Sequence, residues 1–212
     1  MNTDMLIRNA AVWGQPGPAD LAISDGLYVD IGDVDPATAT IIEAAGHLCV
    51  PGFIEPHIHL DKVMLADSIP VNASGSLDEA IEILGVRKQS YSSEDIVARA
   101  GHIIRAAISN GVTRMRTHID IDTGCGLTAF DALLDVRAQF ANLIELQIVA
   151  FPQKGIVGDP GCEALLREAM DRGADQIGGM PFNEAAPEES RAHIEIAFDI
   201  AREHDCAADM HI

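Results

Sequence analysis

A chain of 212 residues can bury one sizeable core, or one domain with a small satellite. Its 33 carboxylates outweigh 14 lysines and arginines, and a net charge of −19 repels a polyanion such as DNA or an anionic membrane surface. Aromatic residues make up 4%, too few for base-stacking platforms, and no stretch approaches the roughly 18 apolar residues of a spanning helix.

Cys49, Cys125, Cys162 and Cys206 form no Cys-x-x-Cys and no tight cluster, so buried thiols in a reducing cytoplasm are expected. Residues 1–6 show no basic region leading into a long apolar run, so a secretory signal is not expected.

Residues 5–50 read as short strands: Met5–Val12, Leu21–Ser24, Leu27–Ile31 and Thr40–Ala44. Asp25-Gly26 between two apolar runs predicts a type I′ hairpin turn. From Pro51 the pattern changes to alternating strands and helices. The spacing predicts strands over 54–60, 113–121, 144–151 and 176–182, and a fifth from Ala207 to Ile212. Ser76-Leu77-Asp78-Glu79 predicts a capping box and a helix reaching Gln89. Ser92-Ser93-Glu94-Asp95 opens a second helix that stops at Asn110-Gly111. Further helices are expected over 127–140, 162–172 and 187–204. Such alternation gives a parallel sheet, either doubly wound or closed into a barrel. No Gly-x-Gly-x-x-Gly follows a strand, which weakens the nucleotide-binding version.

His57 and His59 stand two apart at the end of the first of these strands. Alternate strand residues share a face, so both imidazoles converge, as a divalent transition metal requires. Asp61 has the same parity and is expected to orient one of them. Alone, His-x-His is weak. Here the other polar residues also fall at strand ends: His118 and Asp120, Gln153, Asn183 and Glu184, Asp209 and His211. Packing alone accounts poorly for such a gathering, since each unpaired buried polar group costs about 1–3 kcal/mol. His47, His102, His193 and His204 fall elsewhere and read as solvated or packed histidines.

Three stretches in register resemble the amidohydrolase superfamily, and within it the cytosine deaminase branch. They are Pro51-Gly52-Phe53-Ile54-Glu55-Pro56-His57-Ile58-His59-Leu60-Asp61-Lys62, Arg116-Thr117-His118-Ile119-Asp120-Ile121, and Leu146-Gln147-Ile148-Val149-Ala150-Phe151-Pro152-Gln153-Lys154-Gly155. The resemblance implies an α/β fold, a (β/α)8 TIM-type barrel with strands 1–5 present. Residues 51–212 would supply its first five β/α units, and residues 1–50 half of a small β-sandwich. It implies one divalent ion, Fe(II) or Zn(II), with His57, His59 and His211 as ligands. Gln153 and His118 would contact a small heterocyclic substrate. The implied reaction takes cytosine to uracil plus ammonia: the metal lowers the pKa of a bound water, and the hydroxide attacks the amino-bearing ring carbon.

Lys62 blurs the substrate, because relatives that strip alkylamino groups from s-triazine rings also carry Asp-Lys there. Pro181-Phe182 stands where relatives often have Pro-His, which leaves the ring preference open. An aminohydrolase of triazine or creatinine-like rings, a ring-opening cyclic amidase, and an inactive fragment or binding module stay open beside the deaminase. So does a homo-oligomer. The small zinc cytidine deaminases are set aside, since no Pro-Cys-x-x-Cys occurs. A (β/α)8 barrel needs about 250 residues. The expectation is therefore a natural gene that runs on past Ile212, with the proton-shuttle acid just beyond it and 212 residues inactive alone.

Overall fold

The computed structural model describes residues 4–37 and 39–212. Residues 1–3, part of the stretch read for a secretory signal, lie outside the described residues. The chain divides into two compact units, Met1–Pro51 and Gly52–Ile212.

The first unit holds β1 (Met5–Val12), β2 (Pro18–Ser24), β3 (Leu27–Val29), β4 (Thr40–Glu43) and β5 (Leu48–Cys49). They form one sheet in the order β3-β2-β1-β4, with β5 also on β1. Asp25 and Gly26 have φ of 50° and 79°, the two positive values of the expected turn. Leu6, Ala22 and Val34 make a small core. The run expected over Leu27–Ile31 is shorter, because Ile31–Asp33 turns into a 3₁₀ helix.

The second unit alternates as expected. Its strands are β6 (Phe53–Ile58), β7 (Val112–Asp120), β8 (Glu145–Phe151), β9 (Gln176–Gly179) and β10 (Ala208–Met210), all parallel, in the order β10-β9-β8-β7-β6. Its helices are α1 (Leu77–Lys88), α2 (Ser93–Ser109), α3 (Thr128–Phe140), α4 (Cys162–Asp171) and α5 (Pro187–Glu203). Each of α2 to α5 turns one apolar stripe inward. In α2 the stripe is Ile96, Ala100 and Ile104; in α5 it is His193, Ala197, Ile200 and Ala201. Phe130, Leu133, Ile148, Leu166 and Ile177 lie in the same core, each fully buried. Each such side chain contributes about 1.5–3 kcal/mol of transfer free energy.

Three local expectations need correction. The capping box at α1 is half formed: Ser76 Oγ accepts from Glu79 N–H, but Glu79 reaches back to Ala73 and Ser74 rather than Ser76. The strand expected over 176–182 ends at Gly179, because Pro181 opens a 3₁₀ turn and leaves Phe182 exposed. The first sheet strand stops at Ile58, short of Leu60, as the chain folds into a turn closed by Lys62 N–H donating to His59 O. Gly179 leaves room for the Met210 side chain of the neighbouring strand: a Cβ there would meet Met210 Sδ and force that side chain to move.

Candidate metal centre

The parallel register brings four histidines from three strand ends to one place. His57 ends β6 and His59 follows it; His118 lies near the end of β7, paired with Val149; His211 follows β10. The His211 backbone N–H donates to Gly179 O at 2.8 Å, which fixes the last of them. His57 stacks on His118 with ring centroids 4.4 Å apart, and the His57 and His211 Nε2 atoms are 3.2 Å apart. One ligand atom from each of His57, His59 and His118 lies within 4.8 Å of the others; the same holds for His118, Asp209 and His211.

His59, His118 and His211 are held toward the neutral, ligating form. Burial drives His59 down to about 2, with Lys62 adding to the effect. Burial takes His118 down to about 4, against the pull of Asp209. Burial and then His57 lower His211 as well. His59 Nδ1 and His118 Nδ1 are buried without a hydrogen-bond partner among the described residues. Buried nitrogens left unpaired are costly unless something coordinates them. Asp209 adds an anion: its Oδ2 accepts from Arg116 at 2.9 Å and lies 3.3 Å from His118 Nε2. Imidazoles with one carboxylate are a donor set for zinc or iron. The residues present fit a divalent metal.

No family model matches the chain. It is 30% identical over 219 residues to N-isopropylammelide isopropyl amidohydrolase from Pseudomonas sp. (strain ADP), a match covering 99% of this chain and 53% of that protein. The structure of 5-methylcytosine deaminase from Klebsiella pneumoniae liganded with 5-fluorocytosine is similar with a TM-score of 0.87 and 37% identity, over 98% of this chain and 51% of that one. This chain belongs to the amidohydrolase superfamily. N-isopropylammelide isopropylaminohydrolase from Burkholderia multivorans is a further amidohydrolase-type neighbour, with a TM-score of 0.82 and 33% identity over 99% of this chain. The α/β fold with its curled parallel sheet is common to them. The chain spans about half the length of the relatives it matches.

In this amidohydrolase the sequence-derived ligands His57, His59 and His211 do meet. His118, expected at the substrate, lies among them and offers a ligand atom of its own. Asp61 does not orient a histidine. The turn after Ile58 ends the alternation, and Asp61 Oδ2 instead accepts from Asp120 N–H at 3.3 Å. Burial raises its pKa to about 6.

Gln153 lies on the loop after β8, and its Oε1 accepts from Lys62 Nζ at 2.8 Å. The Lys62 ammonium also donates to Asp120 Oδ1 at 2.5 Å. On its other oxygen Asp120 meets Lys88 at 2.7 Å, and Lys88 reaches Asp122 at 2.6 Å. Burial opposes the charge on Asp120, but Lys62 and Lys88 outweigh it and hold its pKa near 2. Burial likewise opposes charge on Lys88, and Asp120 and Asp122 reverse that, raising its pKa. Sequence reasoning did not single out Lys88. The signal was Asp120 and Asp122, two carboxylates of equal parity at a buried strand end, which need a buried cation between them.

The loop carrying Gln153 is gripped from the β9 side. Asn183 Nδ2 donates to Gln153 O at 2.5 Å. Glu184 accepts from the backbone N–H groups of Ile156, Val157 and Gly158 at 2.6, 3.1 and 2.9 Å. His193, read as solvated or packed, is packed: its ring bridges Glu184 Oε1 at 2.6 Å and Met180 N–H at 3.1 Å. An apolar hollow of about 400 Å³ opens beside Lys62, lined by Leu65, Ile69, Pro70, Ile83 and Leu84.

Proposed function

We propose that this chain belongs to a metal-dependent hydrolytic deaminase of a nitrogen heterocycle, acting on cytosine or a closely related aminopyrimidine. The observation that carries the reading is the cluster of His57, His59, His118, Asp209 and His211, with buried ring nitrogens left for a metal. The parallel sheet is read as the first five strands of a (β/α)8 barrel, and the amino-terminal sheet as half of a β-sandwich. The ion is Fe(II) or Zn(II). When bound, it supplies Lewis acidity that activates water at neutral pH. The protein's own groups do the rest. His57, His59, His118, His211 and Asp209 are held by strand ends, so the ligand set is preorganised. Gln153, fixed between Lys62 and Asn183, orients the ring so that its amino-bearing carbon faces the histidines. Water replaces the amino group, and one ring amine and one water give one ring carbonyl and one ammonia.

A second reading is hydrolysis of an alkylamino substituent on an s-triazine ring. The hollow beside Lys62 favours it, because its apolar lining would take an alkyl group. The two readings differ in product, ammonia against alkylamine.

The test is the natural protein with His57→Ala and His59→Ala together, assayed for bound metal and for amine release from aminopyrimidines and aminotriazines. Metal and turnover are expected to disappear together. A double variant with full metal and full activity would end the metal assignment. No turnover of any ring with metal confirmed bound would end the substrate class.

A further inference from the structure

We infer that Arg99 is a positioning residue for the site: from α2 it fixes the peptide groups on either side of Lys62, and through Lys62 it sets where the Gln153 side chain stands. The inference rests on the ring-binding role proposed for Gln153 and assigns the group that holds its support in place.

The Arg99 guanidinium is divided between two duties. Its Nε and Nη2 donate to Asp95 Oδ2 at 3.1 and 2.9 Å, one turn back on the same helix. Its Nη1 reaches away from the helix and donates to Asp61 O at 2.9 Å and to Val63 O at 2.8 Å. Those two carbonyls flank Lys62, and no other donor reaches either of them among the described residues. A planar guanidinium with five donors makes these bonds together; an ammonium, a point charge on a flexible stem, does not hold the same plane. Asp95 is steadied in turn, accepting from Arg87 Nη2 at 3.0 Å.

The turn around Lys62 needs this hold. Its other tethers act at or before Lys62: Leu60 N–H donates to Thr117 Oγ1 at 3.0 Å, Asp61 Oδ2 accepts from Asp120 N–H at 3.3 Å, and Lys62 N–H donates to His59 O. Beyond Lys62 the chain enters Met64, whose φ of 55° is left-handed. A residue with a Cβ keeps that conformation only where its surroundings enforce it. The Arg99 bond to Val63 O fixes the peptide that leads into Met64. Without that bond the stretch is free to relax, and Lys62 moves with it.

A displacement there is felt at the site. The Lys62 ammonium sits between Asp120 Oδ1 and Gln153 Oε1, 2.5 and 2.8 Å away, and its side chain is 8% exposed. Lys88 holds Asp120 from the other side at 2.7 Å, so the carboxylate cannot follow a moving lysine. The contact that gives is the one to Gln153. The Gln153 backbone stays pinned by Asn183, but its side-chain amide loses the partner that orients it. Arg99 makes no hydrogen bond to a histidine among the described residues, so the metal cluster is left as it is.

The test uses Arg99→Lys in the zinc-loaded natural protein, with Asp95→Asn beside it as a variant that keeps the arginine and weakens its anchor. The first readout is acetylation of lysines by dilute acetic anhydride at fixed pH, followed by mass spectrometry. Lys88 is the internal reference, because it shares Asp120 and is more buried, at 3%. Lys62 should react about fivefold faster or more in either variant while Lys88 keeps its rate, as a local opening requires. Equal acceleration of both lysines, or of neither, overturns the inference. The second readout is kcat/KM for amine release, in wild-type and Lys62→Met backgrounds. Arg99→Lys should cost about tenfold or more in the first and under about twofold in the second, with zinc content unchanged. A loss of the same size in both backgrounds also overturns the inference, since the arginine would then act by another route. If the natural protein turns over no ring, the deaminase reading falls; in that case, as where Lys62→Met alone is inactive, the labelling decides the positioning role.

Discussion

The Glu184 carboxylate and the His193 imidazole meet at 2.6 Å, and neither side chain reaches solvent. This pair joins three parts of the protein. Glu184 takes the backbone N–H groups of the loop after β8; His193 comes from α5 and accepts from Met180 at the end of β9. A carboxylate that accepts several backbone N–H groups holds a loop in one shape, because releasing it would strand several buried donors.

Gly155 has a φ of 93°, and a Cβ there would lie 2.7 Å from Glu184 Oε1. Gly155→Ala should therefore cost about 2 kcal/mol or more, from strain at positive φ and from displacement of the carboxylate. In a Glu184→Ala background the same substitution should cost clearly less, since only the backbone strain remains. Urea unfolding of the four proteins in the cycle measures this. Equal costs in both backgrounds would show that the carboxylate and the glycine do not compete for space.

Acid should loosen the clamp. Burial favours the neutral form of Glu184, but His193 and the three N–H groups outweigh it and hold its pKa below the ordinary value of 4.5. Burial lowers His193 below 6.5, partly offset by Glu184. Both groups bind fewer protons folded than unfolded, so the contribution of His193 is complete above 6.5 and declines as pH falls below it, and that of Glu184 is complete above 4.5 and declines below that. Unfolding free energy from pH 7 to 4 should fall more steeply for the natural protein than for Glu184→Gln with His193→Asn. Parallel slopes would remove the pair from the acid response.

Lys88→Met should be among the most damaging single changes outside the apolar core. It leaves Asp120 and Asp122 buried at 1% and 0% exposure; Asp120 keeps Lys62, and Asp122 keeps the Gly124 and Cys125 N–H groups on Oδ1 and, among the described residues, only the more distant cation Lys154 at 3.6 Å. Removing one member of a buried ion pair costs about 3–5 kcal/mol. Adding Asp122→Asn should recover part of that loss, and thermal melts of both variants would show it. A melting temperature unchanged in Lys88→Met would mean that water reaches both carboxylates.

Much of this arrangement was legible in the sequence, for physical reasons that differ by element. The helices after α1 bury a stripe at 3.6 spacing, so α2, α3, α4 and α5 fall within a residue or two of their expected ranges. The Ser92 cap and the Asp25-Gly26 turn are local chemistry and appear as expected. His57, His59 and His211 are motif positions at strand ends, and parallel pairing brings strand ends together. What the sequence hid depends on contacts across long separations. Lys88 and Asp120 are 32 residues apart, and Lys62 and Gln153 are 91 apart. Asp61 was misplaced because parity holds only while the strand continues, and the chain turns after Ile58. Phe182 was misplaced because Pro181 ends the strand that parity would have extended.

The anchoring of α1 has a consequence for amide hydrogen exchange. Lys88 is the single buried residue of that helix, whereas α2 buries Ile96, Ala100, Gly101 and Ile104. A helix fastened mainly by ion pairs in its last turn, Lys88 to Asp120 and Asp122 and Arg87 to Asp95, can detach while the sheet stays intact, a local opening that costs far less than global unfolding. Amides over 77–88 should therefore exchange orders of magnitude faster than those of α2. The residues between Lys62 and Ser90 would then open and close as a unit over the hollow beside Lys62, on a clock separate from the rest of the fold.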